Sequence, residues 1–500
     1  MRSSSIAVAL SLVACSGNKS EKPAEQKSEP APAPVAKATV PQKPLPQLAA
    51  DPGGATGKPI WAAAFGGFGI DAPKAIAIGA DGSAYVCGYF EGEIDFGGAV
   101  GKKKSNGKSD AFVAKLTPEG KLAWAQTFGG PREDSANAIA IKGDKIVVAG
   151  SFADELKIGE FDHKAVNSDD LFVVAFDPSG GVQWMWTLGG IDSDGANAIA
   201  PTPDGGWVIG GSFADGIDLG ATHVKSKGRS DGLLVKLAAS GDVVWAKSFG
   251  GRYDDTILHV AVDANSNIYV QGHFRDVSDW GGPKPLTAAG GSDNDIVLAK
   301  YDTNGDYVWA QRFGNQFNDV AGGIAVDPAG HITMVGSFDK SISFGQGDDH
   351  TSLGEADAYV ARFTTDGKLE WAKTFGAERE DVAWGVAADA AGNSVTTGWF
   401  QKSVDFGKGG AMVSKGNKDV FVLKLDPKGE PIWVQTFGDH DHDQGRGVAL
   451  DDKGNAIVTG IFRFKLALGD LPPIQSQIDP SNPVLAKAPP PDAFVVKLAR

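Results

Sequence analysis

The chain has 500 residues, is 42% hydrophobic, and carries 67 glycines among short apolar runs, a composition that points away from helical structure. A net charge of −15 argues against nucleic acid, because displacing counterions from phosphates needs a basic face. Of the two cysteines, Cys15 is read below as modified, which leaves Cys87 without a partner for an intramolecular disulfide.

Residues 1–14 read as an export signal, with Arg2 as its positive charge and Ile6 to Leu12 as a short apolar segment. A run this short cannot cross a bilayer core of ~30 Å. Leu12-Val13-Ala14-Cys15 resembles the lipobox of bacterial lipoproteins, which implies that Cys15 becomes the lipidated first residue of the mature chain. By the same resemblance Ser16, in place of Asp, implies the outer membrane, facing either periplasm or exterior. Residues 15–57 form the lipidated N-terminus and a tether rich in Pro, Ala and Lys. From residue 16 on it has no aromatic residue, so it buries too little apolar area to offset the entropy of ordering.

Residues 58–500 are repetitive. Trp61, Trp124, Trp184, Trp245, Trp309, Trp371 and Trp433 follow one another at intervals of 60 to 64 residues. Each is followed by Gly at the fifth position, Asp at the tenth and Ala at the sixteenth, for example Gly129, Asp134 and Ala140 after Trp124. A turn and a Gly-x-Phe strand come next, as in Gly150-Ser151-Phe152. A variable stretch of 17 to 20 residues, 29 in the last repeat with prolines from Pro472 to Pro491, leads to an Asp-initiated strand such as that at Asp170.

Four short strands per unit, joined by Gly- and Asp-rich turns, predict an all-β, seven-bladed β-propeller of four-stranded antiparallel blades. A β-helix uses shorter coils, and an open solenoid would want polar caps. Blades converge on an axis, where small side chains fit best, so the Ala strand is expected innermost, then the Gly-x-Phe strand, the Asp strand and the Trp strand. The chain then enters at an outermost strand, Ile60 to Phe65, and leaves at a third strand, Asp492 to Leu498. Pairing the two closes the ring.

The motifs Trp-Ala-x-x-Phe-Gly-Gly, Gly-Asn-x-x-Val-x-Gly-x-Phe, Asp-Phe-Gly and Ser-Asp-Ala-Phe-Val-x-Lys-Leu make residues 58–500 resemble the bacterial SBBP-type β-propeller repeat. The departures are Lys157-Ile158-Gly159, Ser343-Phe344-Gly345 and Ala467-Leu468-Gly469 for Asp-Phe-Gly, and Ala175 for the usual Lys. The resemblance implies a secreted or surface propeller and brings no catalytic residue.

The tenth-position carboxylates Asp71, Asp134, Asp194, Asp255, Asp319, Asp381 and Asp443 admit two readings: a channel-mouth acidic ring suited to a divalent cation, or a cap on each loop. Equal presence in every repeat favours the cap. Asp439, His440, Asp441 and His442 bring metal-type ligands into one loop, although alternating His and Asp on a surface loop is more often just solvated. The third-strand bases Lys115, Lys236, Lys300, Arg362, Lys424 and Lys497 are expected to pair with nearby acids, and Trp207, Trp280, Trp384 and Trp399 to fill core. No nucleophile elbow, zincin helix, phosphate loop or dinucleotide fingerprint is present, so no catalytic residue and no resident cofactor are expected.

The expected function is that of a non-enzymatic, lipid-anchored scaffold of the bacterial envelope, a monomeric propeller with a protein or glycan partner. The alternative is a cell-wall or polysaccharide hydrolase or lyase, with a quinoprotein oxidoreductase third by analogy of fold. A pocket lined by residues that depart from the repeat, with paired acids or a His cluster, would favour an enzyme.

Overall fold

The computed structural model describes residues 46–49, 53–219, 222–291, 293–345 and 347–500. The export signal, Cys15 and most of the tether lie outside the described residues. Every named element within them is a β-strand, 34 in all. The second repeat shows the unit. Asp134–Lys142, Lys145–Ile158, Phe161–Phe176 and Val182–Leu188 pair antiparallel in chain order. The same order of four recurs in the strands that begin at Asp71, Gly195, Thr256, Asp319 and Val382.

A further group draws on both ends of the repeat region. Gln444–Leu450, Ala456–Phe462 and Asp492–Leu498 pair in that order. Pro59–Gly67 then lies antiparallel to Asp492–Leu498, with Trp61 opposite Lys497 and Ala63 opposite Val495. The strand with the recurrent alanine comes first in each group, and strand 71–78 packs against both 134–142 and 444–450. Third strands such as Asp295–Tyr301 are buried at every position, because neighbouring sheets cover both faces. The outermost strand Tyr307–Phe313 is mostly only half-buried, as expected of an edge with a wet side.

Adjacent groups are locked together at two levels. Indole N–H groups reach across to the next group: Trp61 donates to Pro118 O at 2.9 Å, Trp124 to Pro178 O at 3.0 Å and Trp371 to Pro427 O at 3.0 Å. The turn that supplies each carbonyl also lays a left-handed glycine on the indole: Gly120 (φ 80°) on Trp61, Gly180 (φ 89°) on Trp124 and Gly429 (φ 80°) on Trp371. Gly57 (φ 65°), from the other end of the chain, takes that place on Trp433. Residues 53–57 are therefore attached and not part of a free tether: Thr56 N–H donates to Arg500 O at 2.7 Å and Gly57 N–H to Ala499 O at 3.1 Å. Ala49 N–H likewise donates to Ala390 O at 2.7 Å.

The variable stretch folds as a hairpin arm between second and third strands. In some repeats these strands run on into it; in others it has its own short pair, such as Ser403–Asp405 with Ala411–Val413. Phe96, Phe344 and Phe406 of Asp-Phe-Gly and its variants are buried at the arm's turn, and so are the substitutes Ile158 and Leu468. The motif's apolar member is what the position requires. The departures keep it.

Candidate functional site

The repeat carboxylates are structural in geometry. Asp71, Asp134, Asp194, Asp255, Asp319, Asp381 and Asp443 are all buried. Each accepts, on Oδ2, the N–H of the residue four before it at 2.7 to 3.0 Å. In four of them Oδ1 also accepts an N–H from the start of the arm: Ala153, Ala214, Gln401 and Arg463 donate to Asp134, Asp194, Asp381 and Asp443. The third-strand aspartates do the same for the arm's return, Asp492 taking the N–H of Gln477 at 2.7 Å and Asp170 that of Val166 at 3.3 Å.

The two sets meet at the junctions between groups. Burial first, and then the facing carboxylate, push these acids up: Asp71 is raised well above the carboxylate range, against Asp492 at about 7. Burial raises Asp134, Asp194, Asp255, Asp381 and Asp443 to about 7 and Asp319 to about 8, with backbone N–H donors opposing it and the facing third-strand aspartate adding to it. The fifth-position glycine is a consequence. A Cβ at Gly66, Gly189, Gly250, Gly376 or Gly438 would collide with the third-strand carboxyl group, and at Gly129 it would lie 2.6 Å from Asp134 Oδ2.

The basic third-strand residues pair at the opposite end of the sheets. Lys236 lies 2.6 Å from Asp204, Lys424 3.1 Å from Asp389, Lys497 2.8 Å from Asp451, Lys115 3.4 Å from Asp81, and Arg362 2.6 Å from Asp327. Lys300 instead reaches Thr365 Oγ1 at 3.0 Å. The His loop is not gathered around a point. His440 is exposed and stacks on Phe464 at 4.8 Å, His442 Nε2 lies 3.8 Å from Asp441, and Asp441 faces Arg463 at 3.7 Å. Among the described residues no three His, Cys, Asp or Glu side chains are placed to share a metal ion. Cys87 is a buried free thiol, which burial pushes well up.

The feature that breaks the repeat lies on the first strands. Each of them carries a β-bulge, and the extra residues are Lys74, Asn137, Asn197, Leu258, Gly322, Trp384 and Arg446. All seven line one cavity of about 380 Å³ bounded by the first strands of every group. Behind them stand the residues between the Gly and Phe of the second strand. Lys74 Nζ sits 5.3 Å from the Tyr89 ring, and Trp384 lies 5.6 Å from Trp399. His273 Nε2 accepts the N–H of Ala321 at 2.7 Å, and burial holds both His259 and His273 down to about 4, so both are neutral. Asn137 and Asn197 donate across to the next strand, to Ala196 O at 3.0 Å and Ile257 O at 3.1 Å. Burial, and then the Arg446 charge, lower Lys74 to about 8. No carboxylate lines this cavity among the described residues.

Of the non-repeat tryptophans, Trp207 and Trp280 are core, Trp280 stacking on Phe249 at 5.7 Å, while Trp384 faces the cavity. Reading the recurrent residues directs attention away from the bulge. The signal was the thirteenth residue after each Trp, which changes from Lys to Asn, Leu, Gly, Trp and Arg midway between the constant Asp and Ala.

Repeated four-stranded antiparallel sheets whose first strands surround one cavity define a β-propeller repeat protein. No family model matches the chain. It is 20% identical over 505 residues to the uncharacterized WD repeat-containing protein L264 of Acanthamoeba polyphaga mimivirus, covering 81% of this chain and 36% of that protein. It is 26% identical over 208 residues to the regulatory protein FlaEY of Caulobacter vibrioides, covering 40% of this chain and 22% of that one. The chain thus spans about a third or less of the length of these curated relatives. Among solved structures, the WD40 domain of Neurospora crassa Pan2 aligns with a TM-score of 0.44 at 9% identity, over 86% of this chain and 89% of that one. The polysaccharide lyase Uly1 aligns at 0.42 and 9%, over 85% and 89%.

Proposed function

We propose that the chain is an SBBP-type, seven-bladed propeller closed by its own ends, anchored through a lipid on Cys15 in the outer membrane, and acting as a non-enzymatic binding or assembly scaffold for an envelope protein or glycan. The observation that carries the scaffold reading is where apolar surface is left exposed. In an antiparallel blade the hairpin arms and the loops from fourth to next first strand share one end. Most of the large exposed apolar side chains lie there: Val166, Val277, Leu353, Val413, Ile478 and Val484 on arms, and Phe68, Ile191 and Phe317 on loops. The recurrent polar residues meanwhile serve the frame, and the cavity has no acid pair of the kind glycoside hydrolysis uses.

Capture from envelope extracts with the full-length lipidated protein tests this. A defined partner or glycan should be retained by the parent and lost by Leu353→Glu/Val413→Glu/Val484→Glu, with unchanged thermal stability. Retention unaffected by the triple substitution, or turnover of a glycan with no stable partner, would overturn it. The anchor is tested separately. A Cys15→Ser protein should be neither lipid-modified nor membrane-bound, and processing like the parent's would remove that part of the proposal.

A further inference from the structure

We infer that the central cavity is a binding site for a small oxyanion, a carboxylate- or phosphate-bearing molecule, with Lys74 and Arg446 as the residues that hold it. Of the bulge residues only these two carry charge, and they sit on adjacent first strands, where Gly447 backs directly onto Ile76. Every third-strand base in the molecule has found an acid or a carbonyl. Among the described residues Lys74 and Arg446 make no ion pair, although acids outnumber bases 62 to 47 in the chain. Arg446 Nε is buried with no acceptor, and among the described residues the side chain's hydrogen bond is a long one, 3.4 Å from Nη2 to Gln444 Oε1. Lys74 has only the face of Tyr89.

Two like charges on adjacent strands, both half-buried, are costly unless an anion joins them. A guanidinium fork beside an ammonium is the donor set that carboxylates and phosphates fit. The flanking bulge residues extend the site. Trp384 on one side offers an aromatic face, and Asn137 on the other an amide, so the ligand's body is a ring with polar substituents. At about 380 Å³ the cavity takes a molecule of the size of a sugar acid or sugar phosphate. This inference stands independently of the scaffold proposed above, which uses the arm face.

The test is calorimetric titration of the full-length protein at constant ionic strength, with galacturonate, glucose 6-phosphate, inorganic phosphate and neutral galactose as probes. At least one oxyanion should bind saturably, and galactose should not. Lys74→Met and Arg446→Gln should each weaken that binding by about tenfold to a hundredfold, the loss expected of a hydrogen bond to a charged group. Both variants should unfold at or above the parent's temperature without ligand, since each removes a half-buried charge that has no ion-pair partner. Comparison of phosphate with galacturonate distinguishes an inorganic from an organic ligand, and either supports the site. No binding of any oxyanion probe, equal binding of galactose, or binding unchanged in both variants would overturn the inference.

Discussion

Asp134 illustrates what a recurrent carboxylate does in this molecule. Its two oxygens accept the N–H groups of Gly130 at 2.7 Å and Ala153 at 3.2 Å, one from the loop before its strand and one from the start of the arm. Alanine at this position leaves two buried donors without acceptors, at about 1–3 kcal/mol each, so Asp134→Ala should lower unfolding free energy by about 2–6 kcal/mol in denaturant titration. Asp134→Asn keeps one acceptor and should cost less than half as much. A gain in stability that calcium gives the parent but not the variants would instead support the acidic-ring reading. The raised carboxylates also set a pH dependence. Unfolded aspartate titrates near 3.9, whereas Asp134, Asp194, Asp255 and Asp381 are held at about 7. Between those values the folded chain binds more protons, so the stabilisation is complete below about pH 4 and is lost as pH rises through about 7. Thermal unfolding should therefore occur at a higher temperature at pH 5 than at pH 8, with net proton uptake on refolding at pH 6. A melting temperature that climbs over this window would contradict that assignment.

At the scale of the element, the junction between blades depends on a turn glycine seated on an indole. A Cβ on Gly120 would come within 2.5 Å of the Trp61 ring, and φ there is 80°, where an L side chain is strained. Gly120→Ala should destabilise by more than the about 1 kcal/mol that backbone strain alone costs, because Trp61 must also shift and its bond to Pro118 lengthens. Trp fluorescence and the denaturation midpoint report the two effects separately. This element was half legible in sequence. The Trp, the turn Gly and their spacing are all visible, and so was the order of strands, because an alanine at a fixed place marks the crowded strand next to the cavity. That the Gly of one repeat sits on the Trp of the preceding one was not visible, since it is a contact between units that repeat counting treats as separate. The bulge residues escaped for a different reason. Period-2 alternation assigns every first-strand residue to one of two faces, while a bulge inserts one that obeys neither.

At the scale of the whole molecule, the two ends of the repeat region meet, and the glycine that covers Trp433 comes from residue 57, not from a turn. The role of these ends in closing a ring is testable by taking one away. Without residues 53–67, the third strand Asp492–Leu498 loses six paired positions from Pro59 to Phe65 and presents an open edge, and Trp433 loses its cover. Such a truncated chain should melt well below the parent and elute as dimers or larger species in size-exclusion chromatography with light scattering. A synthetic peptide of residues 53–70 should restore the parent's elution when added in excess, because it supplies both the missing strand and Gly57. The peptide with Gly57→Val should pair with the edge yet restore less stability, since its side chain meets the Trp433 ring at a position where Cβ would already lie 2.7 Å away. A truncated chain that keeps the parent's elution and melting temperature would mean that the sheets are held by contacts between first strands alone, and that the terminal strand merely decorates them.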